Sequence, residues 1–436
     1  MKLQDLVNRV NTKPDEKKNG ALNTYIQNNT QNKGRLDNPV STLINMLKTP
    51  QKSEITDEEF YNYVYKELDG LEYTIEDIDK VANSPIYFGA DYDTGNKRIF
   101  GLILSALINK VVKKGDEIQL NMSRPVDHLF YLADGIEAHV NTAGNYLGYN
   151  AKNSKIYAGD AWGNAGYCMN NCELHVNEAG GALGYNAKNS KIYAGNAGDY
   201  AGLFMDNCEL HVNVAGGYLG NSAKNSKIYA EKAANVAGQY MDNCELHVNE
   251  AGNYLGNSAK NSKIYAEKAW SNAGYCMDNC ELHVNAAGDY LGDSAKNSKI
   301  YAEKAGDYTG DNMNNCELHV NVAGYNLGYN AKNSKIYAGN AGFWAGNEMY
   351  NCELHVNLAG DYLGKSAKNS KIYAENAGNH AGYNMDNCEL YIKNLIGELD
   401  GSCFKGKNEI YLGKESYELH PIKYRLRKVK IWEKET

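Results

Sequence analysis

Apolar and polar residues alternate in short segments that return at a fixed interval along most of this chain. In the segments Cys172–Val176 and Ser190–Ala194, which begin 18 residues apart, every second residue is apolar or small. A period of two is typical of a β-strand, here with three side chains directed inward and two outward. The pattern therefore predicts one short strand in each 18-residue unit.

These units form an uninterrupted repeat. Fourteen complete units, which we call coils, run from Gly135 to Asp386. When positions are counted from the residue that is Asn in every coil but the first, position 9 is always Ala and position 14 always Gly. Position 10 is Gly except at Trp162, Ala234 and Trp270. Because units this short and rich in glycine disfavour helical hairpins, we expect a mainly β protein, a single-stranded β-solenoid.

Two inward positions exchange volume between successive coils. Position 13 alternates between Leu and a small residue, as in Leu183 and Ala201, and position 17 alternates in the opposite sense, as in Ala187 and Met205. Such compensation is expected where side chains fill one shared interior. Outward positions 3 and 18 alternate in charge, so a slip of one coil would bring like charges together and the stacking register is specified.

The segment AGDYAGLFMDNCELHV, with Gly198, Gly202 and Met205 before the strand Cys208–Val212, resembles a known family. It is similar to the glycine-repeat (GXGXG) domain at the C-terminus of the glutamate synthase large subunit, and to one of the subunits of formylmethanofuran dehydrogenase. The resemblance covers the fourteen coils and implies a right-handed β-helix with a structural role. Asn-Ser or Asn-Cys replaces the family's Gly pair before the strand. No part of this chain resembles the amidotransferase, flavin or iron–sulfur parts of glutamate synthase.

Four regions follow from the repeat and its flanks. Before it, a capping-box pattern from Thr56 to Glu59 predicts a helix to about Leu68. A second helix is expected over Ile75–Ala82, and the apolar run Phe100–Val112 predicts a third that closes the mouth of the solenoid. The first region is a flexible polar N-terminus (1–38), and the second is a helical cap region (39–116). The third is the solenoid (117–396), with a strand over 117–122 in phase with the repeat. The fourth, residues 397–436, contains C-terminal cap strands over 409–412 and 417–432.

Charge and composition narrow the classes of partner. A net charge of −8 over 436 residues is mild, so neither a nucleic-acid nor a membrane partner follows from it. Five basic residues near the C-terminus are expected to lie on the solvated face of a cap strand, with a nucleic acid or an acidic partner as the alternative. Met1–Lys18 is polar, without the apolar segment of a secretory signal, and no long apolar run occurs, so a cytoplasmic location is expected.

The repeated Cys-x-x-His, as in Cys172 and His175, suggests zinc, but residues three apart on a strand point to opposite faces. Equivalent cysteines two coils apart would lie about 9.6 Å from each other, beyond the reach of a disulfide. We therefore expect buried thiols, no metal and no cofactor. The local pairs Cys168–Cys172 and Cys276–Cys280 stay open.

Aromatic residues form two outward columns. At position 5, His and Tyr alternate, which predicts either structural ring stacking or a surface that responds to pH. Position 12 is more variable and, together with the two tryptophans at position 10, is the best candidate contact surface, for a protein rather than for a carbohydrate. The candidate residues are Tyr146, Trp162, Tyr200, Tyr218, Tyr254, Trp270, Tyr290, Tyr308, Trp344 and Tyr362.

The sequence contains no paired carboxylates, nucleophile elbow or phosphate-binding loop, and no coil contains an insertion that would place unlike residues together. We therefore expect a non-catalytic scaffold that binds a protein partner. Two alternatives remain open. The first is a structural subunit that supports a catalytic partner in a redox or amidotransferase complex, and the second is a surface adhesin or glycan-binding protein.

Overall fold

Parallel strands occupy the repeated region, one to each coil. The computed structural model of the protein describes residues 56–83, 94–419, 423, 427 and 429–432. Within them it shows a mainly β, right-handed parallel β-solenoid, as predicted. The predicted flexible segment 1–38 lies outside the described residues. The chain divides into two compact units, Met1–Val214 and Ala215–Thr436.

The described part of the first unit contains three helices and six strands. From β1 to β5 each strand pairs in parallel with the next, and from β2 onward paired residues are 18 apart, as are Leu174 and Ile192. The bounds are α1 Asp57–Glu67, α2 Ile75–Ala82, α3 Thr94–Val111, β1 Glu117–Leu120, β2 Glu137–Ala143, β3 Lys155–Ala161, β4 Glu173–Ala179, β5 Lys191–Ala197 and β6 Glu209–Ala215.

The described part of the second unit contains twelve strands, with an α-helix between the last two. Each strand again pairs in parallel with its neighbours. The bounds are β7 Lys227–Ala233, β8 Glu245–Ala251, β9 Lys263–Ala269, β10 Glu281–Ala287, β11 Lys299–Ala305, β12 Glu317–Ala323, β13 Lys335–Ala341, β14 Glu353–Ala359, β15 Lys371–Ala377, β16 Glu389–Leu395, β17 Glu409–Leu412, α4 Lys414–Leu419 and β18 Lys430–Ile431.

The helices of the first unit cover its first turn. The predicted capping box at the start of α1 is present, with the Glu59 backbone N–H donating to the Thr56 hydroxyl at 3.2 Å. Helix α3 begins six residues before the predicted apolar run. Its Ser105 hydroxyl donates to the carbonyl of His128 at 2.8 Å, and its Asn109 amide donates to the carbonyl of Tyr131 at 2.9 Å. These bonds hold α3 against the turn that precedes the first complete coil.

The prediction that β1 is in phase with the repeat is wrong. Glu117 pairs with Glu137, an interval of 20 residues rather than 18, and the strand ends at Leu120. Two extra residues therefore lie between β1 and the turn that follows it, in a segment that contains Pro125. Proline lacks the N–H that a regular strand needs, so the chain leaves the repeat pattern there.

The prediction of a cap strand over 417–432 is also wrong at its start. Lys414–Leu419 is the helix α4, and among the described residues that follow it the pair Lys430–Ile431 forms a strand, which pairs with β17. The residues of α4 have high helix propensity, and the apparent alternation after Tyr417 had too few residues to outweigh it. The predicted strand Glu409–Leu412 is confirmed, at an interval of 20 from β16.

Each strand presents alternating side chains until it bends at positions 7 and 8. In β6 the side chains of Leu210 and Val212 are buried, whereas Asn213 and Val214, next to each other, both face outward. Inside the coil, the Leu and Ala residues of position 13 and the Ala and Met residues of position 17 are almost fully buried, as predicted. The two positions thus share one interior.

Left-handed backbone conformations recur more often than the glycines suggest. Positive φ values occur at the predicted Asn of position 1 and Gly of position 14, but also at positions 12 and 16. In the first coil the N–H of Tyr149 donates to the carbonyl of Tyr146 at 3.2 Å, which closes a turn whose third residue, Gly148, has a φ of 65°. That is the arrangement of a type II turn. Consecutive turns of this kind make up the segment between the strands.

Candidate functional site

The His and Tyr rings of position 5 form a stacked ladder on the outer face of the strands. In the second unit, His319 lies 5.1 Å from Tyr301 and 4.7 Å from Tyr337, with the rings within about 16° of parallel. A shallow cavity of about 590 Å³ follows this ladder from His283 to His355. Structural stacking is therefore present, and the pH response stays a prediction.

The ladder histidines of the second unit are each paired with a glutamate of their own strand. His319 Nε2 lies 2.7 Å from Glu317 Oε1, and the same bond recurs at His283 and Glu281. The hydrogen bond from the imidazole holds the pKa of both glutamates below its usual value. A histidine bound in this way is occupied on one side by its own strand, which fits a structural role better than an exposed catalytic base.

The cysteines of position 2 are buried in the coil interior. Cys208 and Cys280 are buried, and burial raises the pKa of each thiol to about 11. The thiolate, which is the reactive form, is therefore scarce at neutral pH. All ten cysteines are free thiols, including the two local pairs that the sequence left open.

Zinc chemistry finds no support in the geometry. Cys172 is buried on the inner face, whereas His175 lies on the outer face against Glu173. Among the residues that the structure describes, no group of three or more His, Cys, Asp or Glu side chains is placed to hold a metal ion.

One buried carboxyl group has an oxygen without a hydrogen-bond partner. Asp311, at position 15, is 8% exposed, and its Oδ1 accepts no hydrogen bond. Burial, with the charge of Asp293 in the preceding coil as a smaller cause, raises its pKa to about 6 from the usual 3.8. The ionised form is thus disfavoured in the folded state, and it lowers stability above pH 6.

Asp311→Asn is therefore expected to raise the free energy of unfolding at pH 7 by about 1 kcal/mol. Asn occupies the same position at Asn347, so the substitution fits the repeat. Denaturant titrations of both proteins between pH 7 and pH 4 measure the effect. Because the native carboxyl group takes up its proton as the pH falls through 6, the difference between the two proteins should shrink and be lost near pH 4. A difference independent of pH would contradict this assignment.

The predicted contact residues differ in exposure. Trp162, Tyr200, Tyr254, Trp270 and Tyr290 are exposed, whereas Tyr146, Tyr218, Tyr308, Trp344 and Tyr362 are half-buried. Ring contacts account for part of that burial. Tyr146 stacks on His128 at 4.8 Å and Tyr290 on Tyr308 at 5.0 Å.

The second unit contains an aromatic cluster that the sequence analysis missed. Tyr325 and Phe343 stack at 5.5 Å, and their rings lie 6.3 and 6.2 Å from that of Trp344, which in turn lies 6.5 Å from Tyr362. We call these four residues the aromatic cluster. Tyr325 and Phe343 are 47% and 42% exposed although both are large and apolar. The sequence did indicate these two residues, because they occupy position 11, which is Gly, Asn, Asp or Ser in all twelve remaining coils.

Comparison of the chain with protein-family models, with curated proteins and with solved structures finds no match. The similarity to the glycine-repeat domain of glutamate synthase therefore rests on the sequence pattern alone. Within the described parts of the chain, none of the helices has the length and the apolar character that crossing a membrane requires.

The basic residues near the C-terminus contact groups of their own chain where the structure describes them. Lys430 lies 2.9 Å from Glu409, Lys423 lies 3.7 Å from Glu398, and the guanidinium of Arg427 lies 4.7 Å from the centre of the Phe404 ring. These contacts fit the solvated face of a C-terminal cap.

Proposed function

We propose that this chain is a cytoplasmic, non-catalytic scaffold that binds a protein partner through the aromatic cluster. The observation that carries the proposal is the departure from the repeat at Tyr325 and Phe343. A uniform repeat offers the same surface in every coil, whereas recognition needs a unique location. Exposed, mutually stacked aromatic rings are the side chains most often found at the centre of protein interfaces.

Rigidity supports the same proposal. Strands on both sides of the cluster pair in register, and the side chains below it are buried in the coil interior. The cluster therefore loses little conformational entropy when a partner binds, which favours affinity.

A second candidate is a structural subunit that supports a catalytic partner. Its support is the pattern Gly198, Gly202 and Met205 before the strand Cys208–Val212, which resembles the glycine-repeat domain of glutamate synthase. The two candidates differ in the partner: a redox or amidotransferase subunit would favour the second.

Affinity purification from native cells tests the first candidate. We expect a partner recovered with the native chain to be lost with Tyr325→Asp combined with Phe343→Asp, since Asp occupies the same position at Asp307 and Asp361. The control is Tyr240→Ser, which removes a ring that is 57% exposed at a position that is Ser in the neighbouring coils. Equal recovery of every protein with all three chains would contradict the proposal.

A further inference from the structure

Trp270 stands at position 10, which is glycine in eleven of the fourteen coils. Position 10 lies at a corner where successive coils approach closely: a Cβ added to Gly288, in the coil that follows, would lie 3.0 Å from the backbone nitrogen of Ser271. Trp270 nevertheless occupies this corner, and its side chain is 67% exposed. It contributes little buried area to the fold, so the coil does not need an indole there.

The indole borders an open notch of about 440 Å³. One wall consists of Ala286, Ala287 and Gly288 in the following coil. Ala286 is the smallest residue found at position 8 in any coil, where other coils have Thr, Asp, Glu, Asn, Val, Lys or Leu. The space beside the ring therefore results from a second departure from the repeat, and its volume lies in the range of small-ligand sites, about 300–1,000 Å³.

Trp162, the other tryptophan at position 10, has a different environment. The ammonium of Lys97, from helix α3, lies 5.0 Å from the centre of its ring, and the residue at position 8 of the following coil is Glu178 rather than alanine. Within the described residues, Trp270 has no comparable ring or cation contact. Trp162 thus serves a contact within its own unit and provides an internal control.

Hydrogen-bond donors surround the notch. The Asn253 Oδ1 atom accepts the backbone N–H of Ser271 at 3.1 Å, which fixes the amide and leaves its Nδ2 group to donate elsewhere. The Ser271 hydroxyl and the Lys268 ammonium complete the polar rim. Lys268 is the one charged residue in this lining, and it lies 3.9 Å from Glu250.

We propose that this notch binds a pyranose sugar that carries a carboxylate. The apolar face of such a ring would stack on the indole of Trp270, its hydroxyl groups would accept bonds from Asn253 and Ser271, and its carboxylate would face Lys268. An aromatic platform with a few polar groups at its rim is the chemistry of such sites. This site does not rest on the aromatic cluster, whose residues lie in other coils.

The test is ¹⁹F NMR of the full chain labelled with 5-fluorotryptophan, titrated separately with glucuronate, glucose and adenosine monophosphate. The chain has four tryptophans, so each resonance can be assigned by single substitution. We expect glucuronate to shift the Trp270 resonance in a saturable way, more tightly than glucose does, and to leave the Trp162 resonance in place.

Two variants preserve the repeat and separate binding from folding. Ala286→Leu fills the notch with the residue found at Leu358, and Trp270→Ala introduces the residue found at Ala234. The first should weaken glucuronate binding at least about tenfold as judged by the Trp270 resonance. The second removes the Trp270 resonance, so binding is followed by saturation-transfer difference NMR, and we expect the signal transferred from the protein to glucuronate to be abolished. No saturable shift with either sugar, equal affinity for both sugars, or a response to the nucleotide alone would overturn the proposal.

Discussion

Removal of a single coil, residues 261–278, should destabilise the second unit by about 3–5 kcal/mol more than removal of two coils, residues 243–278. The single deletion would place Leu255 next to Leu291 at position 13 and Ala259 next to Ala295 at position 17. One interior position would be overfilled and the other left with a cavity. Like charges would also meet, since Glu245 would lie beside Glu281.

The double deletion retains the alternation. It brings Ala237 next to Leu291 and Met241 next to Ala295, so each interior position again alternates between large and small. Chemical denaturation followed by circular dichroism compares the two proteins. A shorter solenoid has fewer interfaces between coils. If length alone decided stability, the double deletion would therefore be less stable than the single deletion. Equal stability, or greater stability of the single deletion, would contradict the two-coil period.

Gly274→Ala is expected to lower the free energy of unfolding by about 3 kcal/mol. Two costs combine at this position. The φ of Gly274 is 71°, and a Cβ there would lie 2.9 Å from Leu282 Cδ2 and 3.0 Å from Met277 Sδ, both inside the coil. The flexible side chains can move only into space that their neighbours already fill.

Asn272→Ala is the matched control. Its φ is 63°, so the backbone strain is similar, but position 12 already contains Ala182 and Val236. We expect a loss of less than about 1 kcal/mol, since the Cβ there faces outward. Thermal unfolding of the two variants separates the costs. A similar loss for both would show that backbone strain, rather than contact with the interior, requires the glycine.

The repeat made the strands and the interior predictable because each position is sampled fourteen times. Comparison of position 14 with positions 12 and 16 shows why some of the left-handed backbone conformations were not predictable. Glycine marks position 14 openly, but the positive φ at positions 12 and 16 also occurs at Tyr, Trp, Ser and Cys, which adopt it at a local cost of about 1–2 kcal/mol each and therefore give no sign of it in the sequence. The two ends of the solenoid were predicted less well, since the intervals between paired residues there are 19 or 20 instead of 18.

The candidate site was predictable only in part. The column at position 12 was visible because aromatic residues recur there, whereas Tyr325 and Phe343 occur once each at a position otherwise small and polar. Their importance depends on exposure and on ring contacts with Trp344, and neither can be read from the spacing of residues. The notch at Trp270 likewise depends on Ala286, whose small size matters only beside the indole.

The solenoid requires that successive coils lie directly on one another in register. Double electron–electron resonance in the second unit tests it, with one spin label on the exposed Cys276 and the other on Ser366→Cys, five coils away at the same position, in a Cys168→Asn background. With strands about 4.8 Å apart, the labelled backbone sites should be separated by about 24 Å. Moving the second label to Glu348→Cys should shorten the distance by one strand spacing. A distance that does not change with the number of intervening coils would contradict the stacking.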